Sequence, residues 1–558
     1  MFNPNRFLTI ARAGVLAAGL LAATACRDRI QTGCRGDYCG TIVFASTGQP
    51  VSLLPPVTDE IIDRDIHDQI FLKLADIGAA QNTIGDVGFE KQLADAWTWR
   101  DSLTLAFHID RRAKWHDGQS VTAQDVAFTF AAFTDKATDS PYRSSLERIA
   151  SVTAQDSGTA VFKFRARYPE MFYDAVYYLR ILPSHLLASV PRKDWRSAAF
   201  GRAPVGNGPY RFVKWTAGQS LELVADSTCF LGRPHIRRLI WRFTSDLPVA
   251  VTQVAAGEAD AIEVLVLPSN IERAKAAPQL ALYPYPGAAY TILGFNLRAR
   301  GDATKPHPIL GDATLRRALV LATDRQGMMT SVFGTAAKLP AAPIPQAWTA
   351  LWFKDRTPPA YDTVQAKLML DAVGWKIGGD GIRHRGPQQL SFSIAVPSTS
   401  AARRQYARLI QEQLRTVGVE VTIEEMDMAA LQGGLRAGTF DSAIQTYVND
   451  PTPNSGIAQA WAKGGGTNFG RYYNAEFEAQ VNRAVAAQTP DDAAPAWHLA
   501  FDLLAQDAPA MVLNAPDNVA AVAKRVVDVR LRPDSYWAYV RTWRIPPDQL
   551  TDRDRVER

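Results

Sequence analysis

The sequence predicts a mixed α/β fold, and three segments carry that prediction. Leu103, Leu105, Phe107 and Ile109 recur at a spacing of two, the pattern of a strand with one buried face. Thr122 stands three residues before Asp125, just ahead of the apolar Val126, Phe128 and Phe130, which reads as a capped helix start. Tyr406, Leu409, Ile410, Gln413 and Leu414 share one helical face, and Gly418 is placed to end that helix. Val419, Val421 and Ile423 then return to a spacing of two. Alternation of this kind builds sheets covered by helices.

The first 25 residues read as a targeting segment. Arg6 and Arg12 precede an apolar stretch from Ala13 to Ala23, which is shorter than the about 20 residues a membrane-spanning helix needs. Small residues follow, and then Cys26. Ala23-Thr24-Ala25-Cys26 resembles a bacterial lipobox, although the family pattern prefers Leu where Ala23 stands. The expectation is cleavage before Cys26 and lipidation of its thiol, which would hold the body at a membrane surface. Residues 26–39 read as a tether. Ordered structure is expected from Gly40, where Thr41-Ile42-Val43-Phe44 makes a strand. Residues 546–558 read as a loose tail after Ile545-Pro546-Pro547.

A body this long needs more than one core. An apolar fraction of 47% with 13 Trp can fill such cores and argues against disorder. Without Arg6 and Arg12 the net charge falls from +5 to +3, and no basic stripe suggests nucleic acid. With Cys26 set aside, Cys34, Cys39 and Cys229 remain. One bridge and one thiol is the simplest outcome, with three pairings open.

Several chemistries are missing. The eight His are scattered, none with a second His within five residues, so no helical metal pair exists. No His-Glu-x-x-His, Gly-x-Ser-x-Gly, Ser-x-x-Lys or P-loop occurs. Gly206-Asn207-Gly208 lacks the third glycine of a dinucleotide loop. Glu424 and Glu425 are adjacent on a strand and face opposite ways. Nothing asks for a cofactor, a metal or a catalytic residue. An extracytoplasmic hydrolase is the competing class, and these absences weigh against it. A sensor or chaperone lobe that feeds no transporter is the third class.

Other phrases are distinctive in their order. They are Lys114-Trp115-His116-Asp117-Gly118 with Val121-Thr122-Ala123, Gly206-Asn207-Gly208-Pro209-Tyr210, and Ala256-Gly257-Glu258-Ala259-Asp260. Phe295-Asn296 precedes Leu315-Arg316-Arg317-Ala318-Leu319 and Thr323-Asp324-Arg325. Tyr361-Asp362, Gly374-Trp375 and Asn468-Phe469-Gly470-Arg471-Tyr472 complete the set. Together they resemble the dipeptide/oligopeptide/nickel class of solute-binding proteins, family 5, which serve ABC importers. Most of the phrases have scaffold readings. Asp117-Gly118 suits a tight turn, Gly206 to Pro209 a turn into a strand, and Arg316, Arg317, Asp324 and Arg325 surface or inter-element ion pairs.

The resemblance implies a bilobal periplasmic-binding-protein fold (type II, cluster C-like) with an extra inserted domain and a two-strand hinge. Lobe I would combine 40–58, 177–290 and 511–545, the insert would be 59–176, and lobe II would be 291–510. It also implies a monomeric extracytoplasmic subunit that binds a peptide or peptide-like ligand between the lobes. That subunit would deliver its ligand to an ABC permease and ATPase.

The family's peptide binders place ligand contacts before the Asn468-Phe469 phrase, here Thr446-Tyr447-Val448-Asn449-Asp450-Pro451. They typically carry an aspartate three positions before the acid of an Asp-Pro or Glu-Pro pair, where it meets the ligand's free amine. The matching position is Tyr447, which supplies no negative charge. Either Asp450 or another acid substitutes, or the ligand lacks that amine and is a modified peptide, an opine, a sugar or a metal chelate. Asp450-Pro451 can also serve only to shape a turn. The expected contacts are Tyr447, Asn449, Asp450, Trp461, Asn468 and the polar exit of the first strand, Thr47 and Gln49. Phe469 can add a wall, and Trp461 among alanines can equally be core.

Overall fold

A computed structural model describes residues 38–554, apart from 59, 245, 335 and 349–355. The leader, Cys26 and Cys34 therefore lie outside the described residues. Strand β1 (Thr41–Ser46) is buried along its whole length, as its apolar run demands. Helix α1 (Ile61–Ile70) follows. An antiparallel sheet comes next, made of β2 (Ala94–Asp101), β3 (Thr104–Ile109), β4 (Ile149–Ala154) and β5 (Thr159–Phe164), in the order β2-β3-β5-β4. Leu105, Phe107 and Ile109 all point inward. Helix α2 (Ala123–Thr134) begins with the capping box read from Thr122 and Asp125.

The main sheet resumes with β6 (Tyr210–Thr216), β7 (Ser220–Ala225), β8 (Arg238–Phe243) and β9 (Ala261–Ile262). It continues through β10 (Leu280–Pro286), β11 (Ala289–Phe295), β12 (Ser391–Pro397), β13 (Glu420–Met426), β14 (Ser442–Val448) and β15 (Ala510–Ala523). Its order is β13-β12-β14-β11-β15-β9-β1-β8-β7-β6, with β10 also on β15. Among the helices of this second half are α3 (Ala313–Leu321), α4 (Ala401–Arg415), α5 (Pro453–Trp461), α6 (Ala475–Ala486) and α7 (Pro490–Asp507). Gly418 sits at φ 82° just past α4, the left-handed conformation its position asked for.

Strand β15 joins the two halves. Its first residues pair with β11 and its last with β9 and β10. The chain crosses a second time between β10 and β11, at Gly287. A Cβ there would lie 2.2 Å from the Pro516 carbonyl oxygen, so only glycine lets the two crossing segments touch. One apolar core runs from Ile42 to Tyr285 and from Val519 to Ile545. Two others fill the region from Tyr290 to Ala515. The antiparallel sheet β2–β5 shares the first core.

Three expectations are corrected. The tail through Asp554 is docked rather than loose: Asp554 accepts the Thr41 amide at 2.6 Å and pairs with Arg525 at 2.8 Å. The tether is already ordered at its end, where Tyr38 stacks on His235 at 5.2 Å. Arg316 and Arg325 make no surface ion pairs. Both are buried, and Arg316 donates to the Asp507, Ala508 and Leu310 carbonyls, terminating α7. Arg325 donates to the Pro359 and Val512 carbonyls. Of the three pairings left open, the two through Cys229 are absent, because Cys229 is a free thiol. Among the described residues no helix is long and apolar enough to cross a membrane.

Candidate functional site

Strands β8 and β9 both run parallel to β1, so their carboxyl ends leave the sheet on the same side. In open α/β sheets ligands bind beyond such ends. A cavity of about 380 Å³ lies there, within the usual pocket range of about 300–1,000 Å³. Ser46, Thr47 and Gly48 from the exit of β1 line it, as do Glu263 and Val264 from the exit of β9. Trp241, Tyr536 and Trp537 supply aromatic wall, and α1 adds Ile61, Ile62 and Asp65. Thr47 lines this cavity. Gln49 is turned away, its Oε1 accepting the Gly218 amide at 2.8 Å.

Helix α1 holds Ile62, Ile66 and Ile70, three of its four isoleucines, at a spacing of four, on the stripe that seats it in the core. Gly206 and Gly208 receive its end: a Cβ on Gly206 would lie 2.0 Å from the Ile70 carbonyl oxygen. The phrase Gly206-Asn207-Gly208 is therefore scaffold, and it fixes where the charges of α1 point. Asp63 accepts the Val51 amide at 2.9 Å and the Thr58 hydroxyl, and burial pushes its carboxyl up to about 6. Asp68 pairs with Arg180 at 2.8 Å. His67 is buried and pushed down to about 3, so it is neutral. Arg64 reaches the other half of the molecule, where its Nη1 donates to Asp450 Oδ1 at 2.9 Å.

Asp450 also accepts the Tyr178 hydroxyl at 3.3 Å. Beside it, Thr452 donates to Glu170, which also accepts from Thr83 at 3.0 Å. These bonds tie the segment after β14 to the first half. Burial works against the Arg64 charge, but Asp450 overcomes it and holds the guanidinium protonated. Asp450 therefore has a cation already.

Tyr447 stacks on Tyr290 at 5.4 Å and donates its hydroxyl to Gln445 Oε1 and the Thr467 carbonyl, each at 3.0 Å. Asn468 donates to the Ala462 and Tyr472 carbonyls and accepts the Tyr472 amide, so it shapes the turn. Trp461 is buried in the core with Tyr290 and Ile457. Asn449 differs: it is 8% exposed, and its Nδ2 has no acceptor among the described residues. Phe469 packs at the edge of a small cluster around Leu431 and Phe440. The sequence reading thus brought Tyr447, Asn449 and Asp450 together, with Thr47 on the opposite half.

Arg64, Asp65 and Glu263 were not singled out from sequence. A signal existed for each. Asp63, Arg64, Asp65 and Asp68 crowd a helix otherwise built on isoleucines, and Glu263 is a lone acid inside Ala261-Ile262-Glu263-Val264-Leu265-Val266-Leu267. Asp65 is 3% exposed and accepts only the Tyr536 amide, at 2.8 Å. Burial first, and then the neighbouring Glu263, hold its carboxyl well above the usual range. Burial pushes Glu263 up to about 7. The Tyr285 hydroxyl donates to the Glu263 carbonyl at 2.9 Å and fixes the backbone beneath that carboxyl.

Residues 88–469 match the family model of the bacterial extracellular solute-binding proteins, family 5. The chain belongs to this family. As a family 5 protein it is an extracellular solute-binding protein of ABC importers and not an enzyme. The oligopeptide-binding protein AppA of Bacillus subtilis is 25% identical over 515 residues, 90% of this chain and 91% of AppA. The peptide transport periplasmic protein SapA of Salmonella typhimurium is 24% identical over 553 residues, 93% and 95% of the two chains. In fold, the chain matches the structure of AppA in complex with a nonapeptide at a TM-score of 0.76 and 24% identity, covering 92% and 100%. It matches NikZ from Campylobacter jejuni in complex with Ni(L-His) at 0.75 and 21%, covering 90% and 99%. These likenesses make the fold that of the periplasmic binding proteins.

Proposed function

We propose that this chain captures a peptide in the cleft between two lobes and hands it to an ABC permease and ATPase. Lobe I comprises 40–58, 177–290 and 511–545, with 59–176 inserted, and lobe II comprises 291–510. Two observations support the division: the separate cores before and after the crossing between β10 and β11, and the two crossing segments at Gly287 and Pro516. The peptide reading draws on relatives named as oligopeptide-binding and peptide-transport proteins. The observation that carries it here is the cavity at the carboxyl ends of β1, β8 and β9. Its aromatic walls and polar β1 exit suit a polar ligand with apolar side chains.

Closure follows from the bonds between halves. Arg64–Asp450, Tyr178–Asp450 and Thr452–Glu170 form only when the lobes meet. A ligand that binds the closed form better shifts the population toward it. The body works as a monomer held to a membrane by lipid on Cys26, which motivates export through the leader.

Native mass spectrometry of the purified exported chain, with identification of the copurifying small molecule, tests this reading. A bound peptide is expected. A bound sugar, opine or metal chelate would keep import and overturn the peptide. An N-terminal mass equal to that of a diacylated Cys26 is expected for membrane-extracted protein, and an unmodified Cys26 would overturn the anchor.

A further inference from the structure

The acid that the sequence sought in place of Tyr447 has a better candidate than Asp450. Glu60, Asp65 and Glu263 line the cavity at the carboxyl ends of β1, β8 and β9, and no Lys, Arg or His joins them among the described residues. Glu60 is exposed and sits at the rim. Asp65 and Glu263 are the informative pair. Every other acid of α1 has its charge answered: Asp63 by two hydrogen-bond donors and Asp68 by Arg180. Asp65 is just as buried, yet it has no ion pair among the described residues. One of its oxygens takes the Tyr536 amide, and the other has no donor among the described residues.

Its neighbour in sequence explains this. Arg64 and Asp65 are successive on a helix and so point about 100° apart. Arg64 goes to Asp450, and Asp65 goes to the cavity. Glu263 comes from the exit of β9 and likewise has no cation beside it among the described residues. Asp65 is buried and Glu263 half-buried, and carboxylates withdrawn from water need a counter-charge or a proton. The pair meets that need partly by staying protonated: burial raises both carboxyls, and Glu263 further raises the cost of ionising Asp65.

We infer that this cavity is the subsite for a positively charged group of the ligand, an ammonium or a guanidinium, held between Asp65 and Glu263. The Trp241 and Tyr536 rings border the same space and favour a cation against an anion. A ligand carboxylate is excluded from this end, because it would enter a desolvated acidic pocket. The charge can be the peptide's N-terminal amine or a basic side chain. The inference builds on the peptide reading, but its chemistry also applies to a non-peptide cation.

The test uses isothermal titration calorimetry on the full exported chain with four probes. Three are tetrapeptides: Ala-norleucine-Ala-Ala with a free amine, the same peptide N-acetylated, and N-acetyl-Ala-Lys-Ala-Ala. The fourth is agmatine, a cation that is not a peptide. At least one cationic peptide is expected to bind tenfold or more tightly than the acetylated norleucine peptide. Which one does so tells an N-terminal from a side-chain source. Glu263→Gln is expected to shrink that preference to within twofold, and Asp65→Asn to do the same. Equal binding of charged and neutral peptides, or a preference that survives both substitutions, overturns the subsite and leaves the peptide reading standing. Should no peptide bind, the peptide reading fails and agmatine decides: binding lost in Glu263→Gln upholds the subsite, and no binding overturns it.

Discussion

The two sides of the cleft can be compared residue by residue. On the second half, Tyr447, Asp450 and Asn468 all have their polar atoms bonded, to Gln445 and Thr467, to Arg64 and Tyr178, and to the Tyr472 turn. On the first half, Asp65 and Glu263 face a cavity with no cation. The segment that the family pattern highlights works here as a clasp between the two halves, while the uncommitted charge lies on the first half. A site is marked by groups whose burial is uncompensated, since a group with a complete set of partners offers a ligand little.

Four changes break or sharpen this contrast. Gly206→Ala is expected to have the largest effect, because its Cβ would meet the Ile70 backbone and shift α1 with both Arg64 and Asp65. A loss of about 3 kcal/mol in urea unfolding is expected, together with loss of ligand binding. An unchanged midpoint would mean that α1 tolerates the displacement. Arg64→Ala should cost about 2 kcal/mol, less than a fully buried pair because Asp450 is partly exposed. It should also enlarge the radius of gyration of the ligand-free protein in small-angle X-ray scattering. A scattering curve like the wild type's would show that the clasp does not hold the halves.

Tyr447→Phe removes a hydroxyl that is bonded inward, so a loss of about 1 kcal/mol in stability is expected, with ligand affinity kept within twofold. A tenfold loss of affinity would return Tyr447 to the ligand. The smallest effect concerns pH. Burial first, and then Glu170, push Asp174 up to about 8, and burial pushes Glu263 up to about 7. For acids raised this way, the protonated form favours the fold, and that advantage is lost as pH rises through the raised value. His67 and His116 are held neutral by burial and contribute nothing above pH 7. Tm without ligand should therefore fall on the order of 1–2 °C from pH 7 to 9, and Asp174→Asn should flatten the slope. A Tm that rises over this range would contradict the sign.

Local signals in the sequence were reliable. The capping box at Thr122, the end of α4 at Gly418 and the opposed faces of Glu424 and Glu425 all appear as read, and the strand read from Leu103 to Ile109 begins one residue later, at Thr104. Glu424 meets Arg300 while Glu425 meets Arg404. Arg316 and Arg325 were misread because a charged residue on a helix looks exposed in sequence. Only packing shows that α7 needs its last carbonyls satisfied there. The tail was misread for the same reason: Asp554 finds Thr41 across 513 residues.

The sequence by itself determined the class of fold, the family and the order of its elements, because helix periodicity, capping and turn chemistry act between residues a few positions apart. Tertiary structure alone decided which charges are answered. Arg64 and Asp450 lie 386 residues apart, and no local propensity chooses Asp450 for Arg64 while leaving the next residue, Asp65, facing Glu263. That choice comes from the seating of α1 on Gly206 and Gly208 and from the parallel exit of β1 and β9. Burial then sets the electrostatic cost that makes an unanswered carboxylate a place for a ligand.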